Sequence, residues 1–394
     1  MLFNSFEYFL FLPAVVLLYF LLPFKWRNPF LLIASYYFYM SWKWEFGFLM
    51  LFTSAVNYVA GLRINSSKER RTQRLWLTLA IVASLGVLVY FKYANFFIAE
   101  ASALLRILGA DVRESYLKVI LPVGISFFTF QALSYTIDLY KGKMHVEKNF
   151  INFTLFVSFF PQLVAGPIER ATNLLDQFKK EQRFSSERLL EGSKLIIWGL
   201  FKKVVIADRL AAYVEQIYAS PELFGGSTLF LATFFFAFQI YCDFSGYSDI
   251  AIGSAHILGF RLMQNFNLPY LAKSVRDFWH RWHISLSTWF ADYVYKPLGG
   301  NRVSTGRWMF NIMAVYLVSG LWHGANWTFI IWGGIFGVLY ILEFLGDKLL
   351  KRAGLDEGFY KSKLIHPSGW LSYSWPCWCR GSSSGLTIQE THGI

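Results

Sequence analysis

Residues 319–333, SGLWHGANWTFIIWG, place His323 in an otherwise apolar and uncharged stretch, with Trp322 and Trp327 beside it. A titratable ring in such a place costs free energy unless it is used or partnered. Histidine has an ordinary pKa of about 6.5, so it can accept a proton from a hydroxyl at neutral pH. Apolar surroundings favour the neutral ring, which is the form that acts as a base. The pattern predicts a general base at position 323.

A second polar cluster, DFWHRWHISLSTWF, holds two more histidines, His280 and His283. Asp277, His280 and Ser287 recur at helical spacing, which predicts one helix with a polar side facing a cavity. Such a helix need not cross the bilayer, because irregular backbone is tolerated where it lines a wet cavity. His280 either takes part in chemistry or only contacts Asp277. No third ligand accompanies the two histidines, so no metal site is predicted.

A third cluster, YCDFSGYSDIAIG, sets Asp243 and Asp249 inside a long apolar segment. Carboxyl groups in such a segment either hold helices together by hydrogen bonds or take part in function. His256, a little further on, is interpreted as structural, with its ring joining two helices.

The composition identifies the class of protein. Apolar residues make up 55% of the 394 residues and charged residues only 16%, whereas a soluble domain carries about 25% charged residues. The net charge of +12 lies in short loops beside apolar runs, as expected of cytoplasmic connections. The sequence therefore predicts a membrane protein and no nucleic-acid partner.

Segment 63–74 holds five basic residues and one acidic residue, so it is predicted to be cytoplasmic. Three spans precede it, which places the N-terminus outside. The first apolar run lacks a basic region before it and a small-residue cleavage site, so it is predicted to be a retained span.

The predicted fold class is all-α: a polytopic transmembrane bundle of about 9–11 spans, with re-entrant or interfacial helices. Each of the apolar runs at 227–259 and 308–345 is long enough for two crossings, or for one tilted crossing and a re-entrant piece. The apolar runs lie at 6–23, 28–41, 44–62, 75–97, 118–138, 150–165, 193–215, 227–259 and 308–345.

Residues 169–191 are polar, but Leu174, Leu175 and Phe178 share one helical face. This spacing predicts an interfacial amphipathic helix, with a solvated loop as the alternative.

Residues 1–345 are predicted to form one transmembrane domain, followed by a polar tail over 346–394 that is disordered or aberrant. The chain has no G-x-S-x-G elbow, no P-loop and no dinucleotide-binding glycine motif.

Five long segments follow one another along the chain: LPVGISFFTFQALSYTID, FFPQLVAGPIER, YCDFSGYSDIAIG, DFWHRWHISLSTWF with YVYKPLGGNR, and VSGLWHGANWTFIIWG. In this order they resemble the membrane-bound O-acyltransferase (MBOAT) family over about residues 1–345. Within the family, they are most similar to the bacterial alginate and peptidoglycan O-acetyltransferases. The resemblance implies that His323 is the catalytic histidine, that His283 is a second functional one, and that a central tunnel joins a cytoplasmic donor to an extracytoplasmic acceptor. Family members usually continue with further apolar spans after the part that matches 308–345.

The implied reaction is acetyl transfer from a thioester, with acetyl-CoA as the expected donor and no tightly bound cofactor or metal. The phosphates of the donor are expected to meet basic residues that flank the histidine segment. These residues also satisfy the positive-inside pattern, which is the alternative explanation. They are Arg276, Arg281, Lys296 and Arg302.

The oxyanion that develops on the acyl carbon needs hydrogen-bond donors. Candidates are His283, the Asn326 amide and the indole N–H of a nearby tryptophan such as Trp322. Asp243 and His280 are further candidates for supporting roles.

The expected location is the bacterial plasma (inner) membrane, with several crossings and a lipid bilayer around the protein. The expected acceptor is a polysaccharide, or a separate periplasmic or surface acetyltransferase of SGNH type that passes the group on. One alternative is D-alanyl transfer from a carrier protein toward teichoic acid. A transporter or flippase with the histidines as a proton relay is the other.

Overall fold

The computed structural model describes residues 1–110, 116–164 and 166–352, and within these ranges it contains helices and no β-strand. The helices are α1 (Phe6–Leu21), α2 (Phe24–Met40), α3 (Phe46–Ser66), α4 (Arg70–Ile107), α5 (Ile125–Tyr140), α6 (Phe150–Ser158), α7 (Phe160–Leu163), α8 (Ala171–Phe178), α9 (Ser186–Leu200), α10 (Asp208–Ala219), α11 (Gly226–Leu258), α12 (Val275–Arg281), α13 (Ile284–Phe290), α14 (Thr305–His323) and α15 (Trp327–Arg352). Two π-helical segments, Phe201–Ala207 and Ala291–Tyr295, follow α9 and α13, and short 3₁₀ turns lie at Pro221–Leu223 and Pro269–Leu271.

The predicted all-α polytopic fold is confirmed. Among the described residues, four helices are long and apolar enough to cross a membrane: α3, α4, α11 and α15. The apolar helix α1 is shorter. The number of spans, about 9–11, stays a prediction. The run at 227–259 forms the single helix α11, whereas the run at 308–345 divides into α14 and α15.

The chain forms two compact units, each described by itself. Unit 1 comprises Met1–Phe201, Phe244–Asn267 and His283–Pro297. Unit 2 comprises Lys202–Asp243, Leu268–Trp282 and the chain from Leu298 onward.

In unit 1, a buried polar contact joins α3, α4 and α5. Asn57 of α3 donates to the Ser84 hydroxyl of α4 at 2.9 Å and accepts from the Thr136 hydroxyl of α5 at 2.7 Å. All three side chains are fully buried. Hydrogen bonds of this kind hold helices together where no water can compete.

Helix α5 begins at Ile125, later than the predicted start of its apolar run at 118. The reason lies at Gly124, which has a φ of 73°. A Cβ there would lie 2.4 Å from the carbonyl oxygen of Leu163. Only glycine permits this left-handed turn and close approach.

The amphipathic helix predicted within 169–191 is present as α8, so the loop alternative is wrong. Its apolar side chains Leu174, Leu175 and Phe178 are all buried. The Phe178 ring packs edge-on against Phe159 at 5.4 Å. The apolar face is therefore covered by protein, and the placement of the helix at the membrane interface stays a prediction.

Helix α15 continues to Arg352, past the predicted domain boundary at 345. The rest of the predicted tail, 353–394, lies outside the described residues.

In unit 2, α14 and α15 form a hairpin that depends on glycines at the contact. A Cβ on Gly320 would lie 2.3 Å from the carbonyl oxygen of Phe329, and one on Gly333 would lie 2.3 Å from that of Tyr316. Small residues let two helix backbones approach this closely. The hairpin fixes where α14 ends, at His323.

Gly333→Ala is expected to destabilise the hairpin by about 1–3 kcal/mol, because the added methyl group meets fixed backbone. Gly334→Ala is the matched control, since a Cβ there meets only the Leu317 side chain, at 3.5 Å. Thermal unfolding of the purified protein in detergent measures both. Equal melting temperatures for the two variants would contradict the close contact.

Candidate active site

His323 is the last residue of α14, in unit 2. Two indole rings meet its imidazole edge-on, with centroid distances of 4.9 Å to Trp322 and 5.1 Å to Trp332. Trp322 is buried, whereas His323 is partly exposed. The aromatic rings therefore surround the imidazole without sealing it.

The turn after His323 is held by the start of α15. The Asn326 side-chain oxygen accepts hydrogen bonds from the backbone N–H and the hydroxyl of Thr328, at 2.9 and 3.0 Å. This is the role of an N-cap. A Cβ on Gly324 would lie 2.3 Å from the Phe329 ring, so the turn is tight. The predicted site residue Asn326 thus has a structural task, and its oxyanion role stays a prediction.

Further aromatic side chains lie around His323 within unit 2. Trp332 lies between His323 and Trp279 of α12, with 6.1 Å between the centroids of Trp332 and Trp279. Trp279 also packs edge-on against Phe336 at 5.1 Å. Its indole Nε1 is buried and finds no acceptor in the described part of the chain. A buried N–H without an acceptor is costly, so this group is a candidate for binding a substrate oxygen.

His283 lies in unit 1, in a strained and buried backbone position. Its φ is 42° and its ψ is 54°, the left-handed region that non-glycine residues seldom adopt. Its exposed fraction is 2%. Phe244 meets the ring edge-on at 4.6 Å. Strain of this kind costs about 1–3 kcal/mol and is frequent at functional sites.

A network of hydrogen bonds holds the segment that carries His283. The Ile284 N–H donates to the Asn265 carbonyl at 2.9 Å, and the Ser285 hydroxyl donates to the Asn265 side-chain oxygen at 2.6 Å. The Asn265 amide donates to the Ser248 hydroxyl at 3.2 Å, and the Ser285 hydroxyl accepts from the Ile168 N–H at 3.0 Å. Asn265 therefore fixes the backbone that directly follows His283.

The prediction of one helix through the second cluster is wrong. The left-handed residue His283 separates α12, which ends at Arg281, from α13, which begins at Ile284. Asp277 and His280 lie on α12, and Ser287 lies on α13, so the three do not share a helical face. Trp282, with extended backbone, is the C-cap of α12, and His283 is the N-cap of α13.

The acidic residue Asp243 has an unpredicted partner in unit 2. The Lys203 ammonium lies 2.6 Å from Asp243 and 2.8 Å from Asp208. Lys203 belongs to the π-helical segment after α9, and π-helical turns are frequent at functional sites.

His256 fits its structural interpretation. Its Nε2 lies 3.0 Å from a carboxylate oxygen of Glu191, so the pair joins α11 to α9 in unit 1.

The four predicted donor-binding cations fall into both units. In unit 2, Arg281 pairs with Asp277 at 2.8 Å, Arg276 lies 3.9 Å from Asp347, and Arg302 is exposed.

In unit 1, Lys296 pairs with Asp292 at 2.5 Å, and the structure adds two cations that the sequence did not single out. Arg170 lies 3.5 Å from the other oxygen of Asp292 and 4.8 Å from the centroid of the Tyr293 ring. Lys141 lies 5.4 Å from that centroid. These cations form a basic patch at the end of α13.

Sequence reasoning also missed Glu169, in the segment GPIER. This carboxyl is fully buried, and it accepts hydrogen bonds from Asn173 at 2.7 Å and from the Met263 N–H. Burial raises its pKa, although these hydrogen bonds and the nearby Arg170 oppose the shift. Glu169 is a charged residue two positions after Pro167 in a loop, and nothing in this local sequence indicates that its side chain is buried.

In the described ranges, no group of three or more His, Cys, Asp or Glu side chains is placed to hold a metal ion.

Comparison with known proteins adds the family. Residues 37–374 match the membrane-bound O-acyltransferase family. The chain is similar to "Probable alginate O-acetylase AlgI" of Azotobacter vinelandii, with 44% identity over 85% of this chain and 67% of the relative. It is similar to "Peptidoglycan O-acetyltransferase" of Helicobacter pylori, with 36% identity over 84% of this chain and 68% of the relative. A weaker similarity, 29% identity over 55% of this chain and 57% of the relative, links it to "Teichoic acid D-alanyltransferase" of Bacillus subtilis.

Asn265→Ala is expected to destabilise the protein by about 2–4 kcal/mol, because it leaves the buried hydroxyls of Ser285 and Ser248 without this partner. Gln264→Ala, an exposed neighbour, is the control. Thermal unfolding measures the difference. An Asn265→Ala protein as stable as Gln264→Ala would show that the network does not hold the His283 segment.

Proposed function

Because the chain belongs to the membrane-bound O-acyltransferase family, we propose that it is an O-acetyltransferase of the bacterial inner membrane. It moves an acetyl group from a cytoplasmic thioester, acetyl-CoA, to hydroxyls of an extracytoplasmic polysaccharide or to a partner transferase. The relatives named for alginate and peptidoglycan O-acetylation support this substrate class. The chain spans about two thirds of the length of those relatives.

The observation that carries the proposal is the setting of His323. The ring sits at the C-terminal end of a helix, edge-on to two indoles, and is partly exposed. The exposed part allows a hydroxyl to reach the imidazole. The carbonyl groups at the end of α14 carry partial negative charge and stabilise the positive ring that forms when it takes up a proton.

The reaction then follows general-base catalysis. His323 takes the proton of the acceptor hydroxyl while the hydroxyl oxygen attacks the acyl carbon of the thioester. The C–O bond forms, the carbonyl oxygen becomes an oxyanion, and collapse of this intermediate breaks the C–S bond. The thiolate leaves and recovers the proton from the imidazolium. The apolar rings around His323 limit the access of water, which would otherwise hydrolyse the thioester.

The oxyanion needs at least one donor, and Trp279 supplies one within unit 2. Its indole N–H is buried, lacks an acceptor in the described residues and is separated from His323 by one ring, Trp332. A donor already in place requires no reorganisation when the negative charge appears.

The donor carries phosphates, and the basic patch at the end of α13 in unit 1 suits them. Arg170 and Lys296 share Asp292, so two cations meet one carboxylate and leave positive charge for an anionic ligand. Arginine is well suited to binding phosphate through paired N–H groups.

His323→Ala is expected to lower acetyl transfer by about 10²–10⁴-fold, because the reaction loses its base. The measurement is release of free CoA from acetyl-CoA by the purified protein with a polysaccharide acceptor. His256→Ala is the control, with lower stability but transfer per folded molecule near that of the wild type. Unchanged transfer by His323→Ala would overturn the assignment. Transfer only from a D-alanyl carrier would favour the D-alanyltransferase alternative.

Trp279→Phe keeps an aromatic ring but removes the N–H, so kcat is expected to fall by about 10²-fold with little change in KM. Trp289→Phe is the control, since its N–H donates to the Phe130 carbonyl at 3.0 Å and its loss is expected to affect stability instead. Steady-state kinetics and thermal unfolding of both variants separate the two effects. An unchanged kcat in Trp279→Phe would exclude this group as an oxyanion donor.

A further inference from the structure

A long apolar groove lies in unit 1 between α1 and α9. Its cavity volume is about 600 Å³, and apart from Ser193 its lining side chains are apolar. On α1 the groove extends from Phe9 to Leu21, and on α9 from Leu189 to Leu200. Many of these side chains, including Leu17 and Ile197, are strongly exposed, with exposed fractions of 62% and 66%.

The length of the groove matches one leaflet of a bilayer. The twelve steps from Phe9 to Leu21 correspond to about 18 Å along the helix axis at about 1.5 Å per residue. The hydrocarbon core of a membrane is about 30 Å thick, so one leaflet contributes about 15 Å. A single extended acyl chain in one leaflet therefore has the right length for the groove.

The volume of the groove, about 600 Å³, is that of a site for one small molecule, since such sites measure about 300–1,000 Å³.

The two ends of the groove differ in charge. One end lies where Phe20 meets Phe184, with 5.5 Å between their centroids. Segments 22–28 and 180–188, which flank this end, carry five basic residues and two acidic ones. At the opposite end, segments 1–8 and 201–208 carry two basic residues and two acidic ones, with Glu7 exposed in the first turn of α1. The end beside Phe20 therefore has the larger positive charge, which favours the negative head of a ligand there.

Two arginines give the basic end a defined shape. Arg27 is buried, and its guanidinium donates to the carbonyl oxygens of Leu22 at 2.9 Å and Gln182 at 2.5 Å, so it ties the start of α2 to the segment before α9. Arg188, on the first turn of α9, donates to the Arg183 carbonyl, and its Nε is buried without an acceptor in the described residues. A phosphate oxygen would satisfy this donor.

The geometry points to a lipid site: the groove binds one acyl chain of an anionic phospholipid, with the headgroup phosphate at the basic end beside Arg188. Because the N-terminus is predicted to lie outside, α1 ends at the cytoplasmic face, and the basic residues Lys25 and Arg27 after it agree with the positive-inside pattern. Basic pockets between helices on that face are known to suit anionic headgroups. The lining of the groove includes none of the residues assigned to the proposed reaction, so the lipid site is tested independently of it.

Native mass spectrometry of the full-length protein, purified in detergent with added phosphatidylglycerol or phosphatidylethanolamine, tests the site. The wild type is expected to retain phosphatidylglycerol in preference. Arg188→Gln is expected to weaken its binding about fivefold, which corresponds to about 1 kcal/mol for one basic residue. Arg71→Gln, which changes an exposed arginine in the first turn of α4, is the matched control and is expected to have no effect.

A second pair of variants tests the groove itself. Ile197→Trp places a large side chain in the groove and is expected to reduce retention of both lipids, whereas Ile33→Trp places the same side chain on exposed α2, outside the groove. Equal retention by these two variants would overturn the groove as the site. Equal retention of the two lipids by the wild type would overturn the anionic headgroup, and a retained protein copy in place of lipid would overturn both.

Discussion

Polar groups inside an apolar protein must find hydrogen-bond partners. A buried polar group without a partner has lost the hydrogen bonds that it would make with water, and this loss costs free energy. The constraint is most severe for a buried ionisable side chain. Glu169 meets it with an amide donor and a backbone N–H. Asp243, which is only partly buried, pairs with Lys203. Asn57 meets it by joining three helices at once. The polar residues therefore determine which helices pack together as much as the apolar ones do.

The two histidines that motivated the functional proposal satisfy this constraint differently. His283 is enclosed, and its backbone is fixed by bonds from the following helix: Leu286 and Ser287 both donate to its carbonyl at 3.0 Å. His323 is fixed by the end of a helix whose partner approaches closely at Gly320. The position of His283 depends on hydrogen bonds, whereas that of His323 depends on a glycine, which has no side chain to keep α14 and α15 apart. Substitutions at Asn265 and Gly333 are thus directed at two separate sources of rigidity.

The sequence predicted the membrane class, the all-helical fold and most apolar runs, because hydropathy depends only on composition along the chain. It failed where a single backbone angle decides the outcome. Nothing in the spacing of Asp277, His280 and Ser287 indicates that His283 is left-handed, because that conformation is imposed by contacts with Asn265 from another segment. Two further contacts were missed because they depend on the fold. Lys203, the partner of Asp243, lies 40 residues before it in the chain. Trp332, the second indole beside His323, lies on another helix, α15.

The left-handed conformation also distinguishes His283 from an ordinary turn residue. Leu268 has a φ of 46°, similar to that of His283, but its side chain is 59% exposed and it leads directly into the short 3₁₀ turn at Pro269–Leu271. At His283 no glycine, asparagine or proline favours the conformation, the ring is buried, and the strain is offset by the bonds of Ile284 and Ser285 to Asn265. A strained residue maintained by long-range contacts has a purpose beyond turning the chain, and here its consequence is to direct an imidazole toward Phe244 instead of continuing a helix.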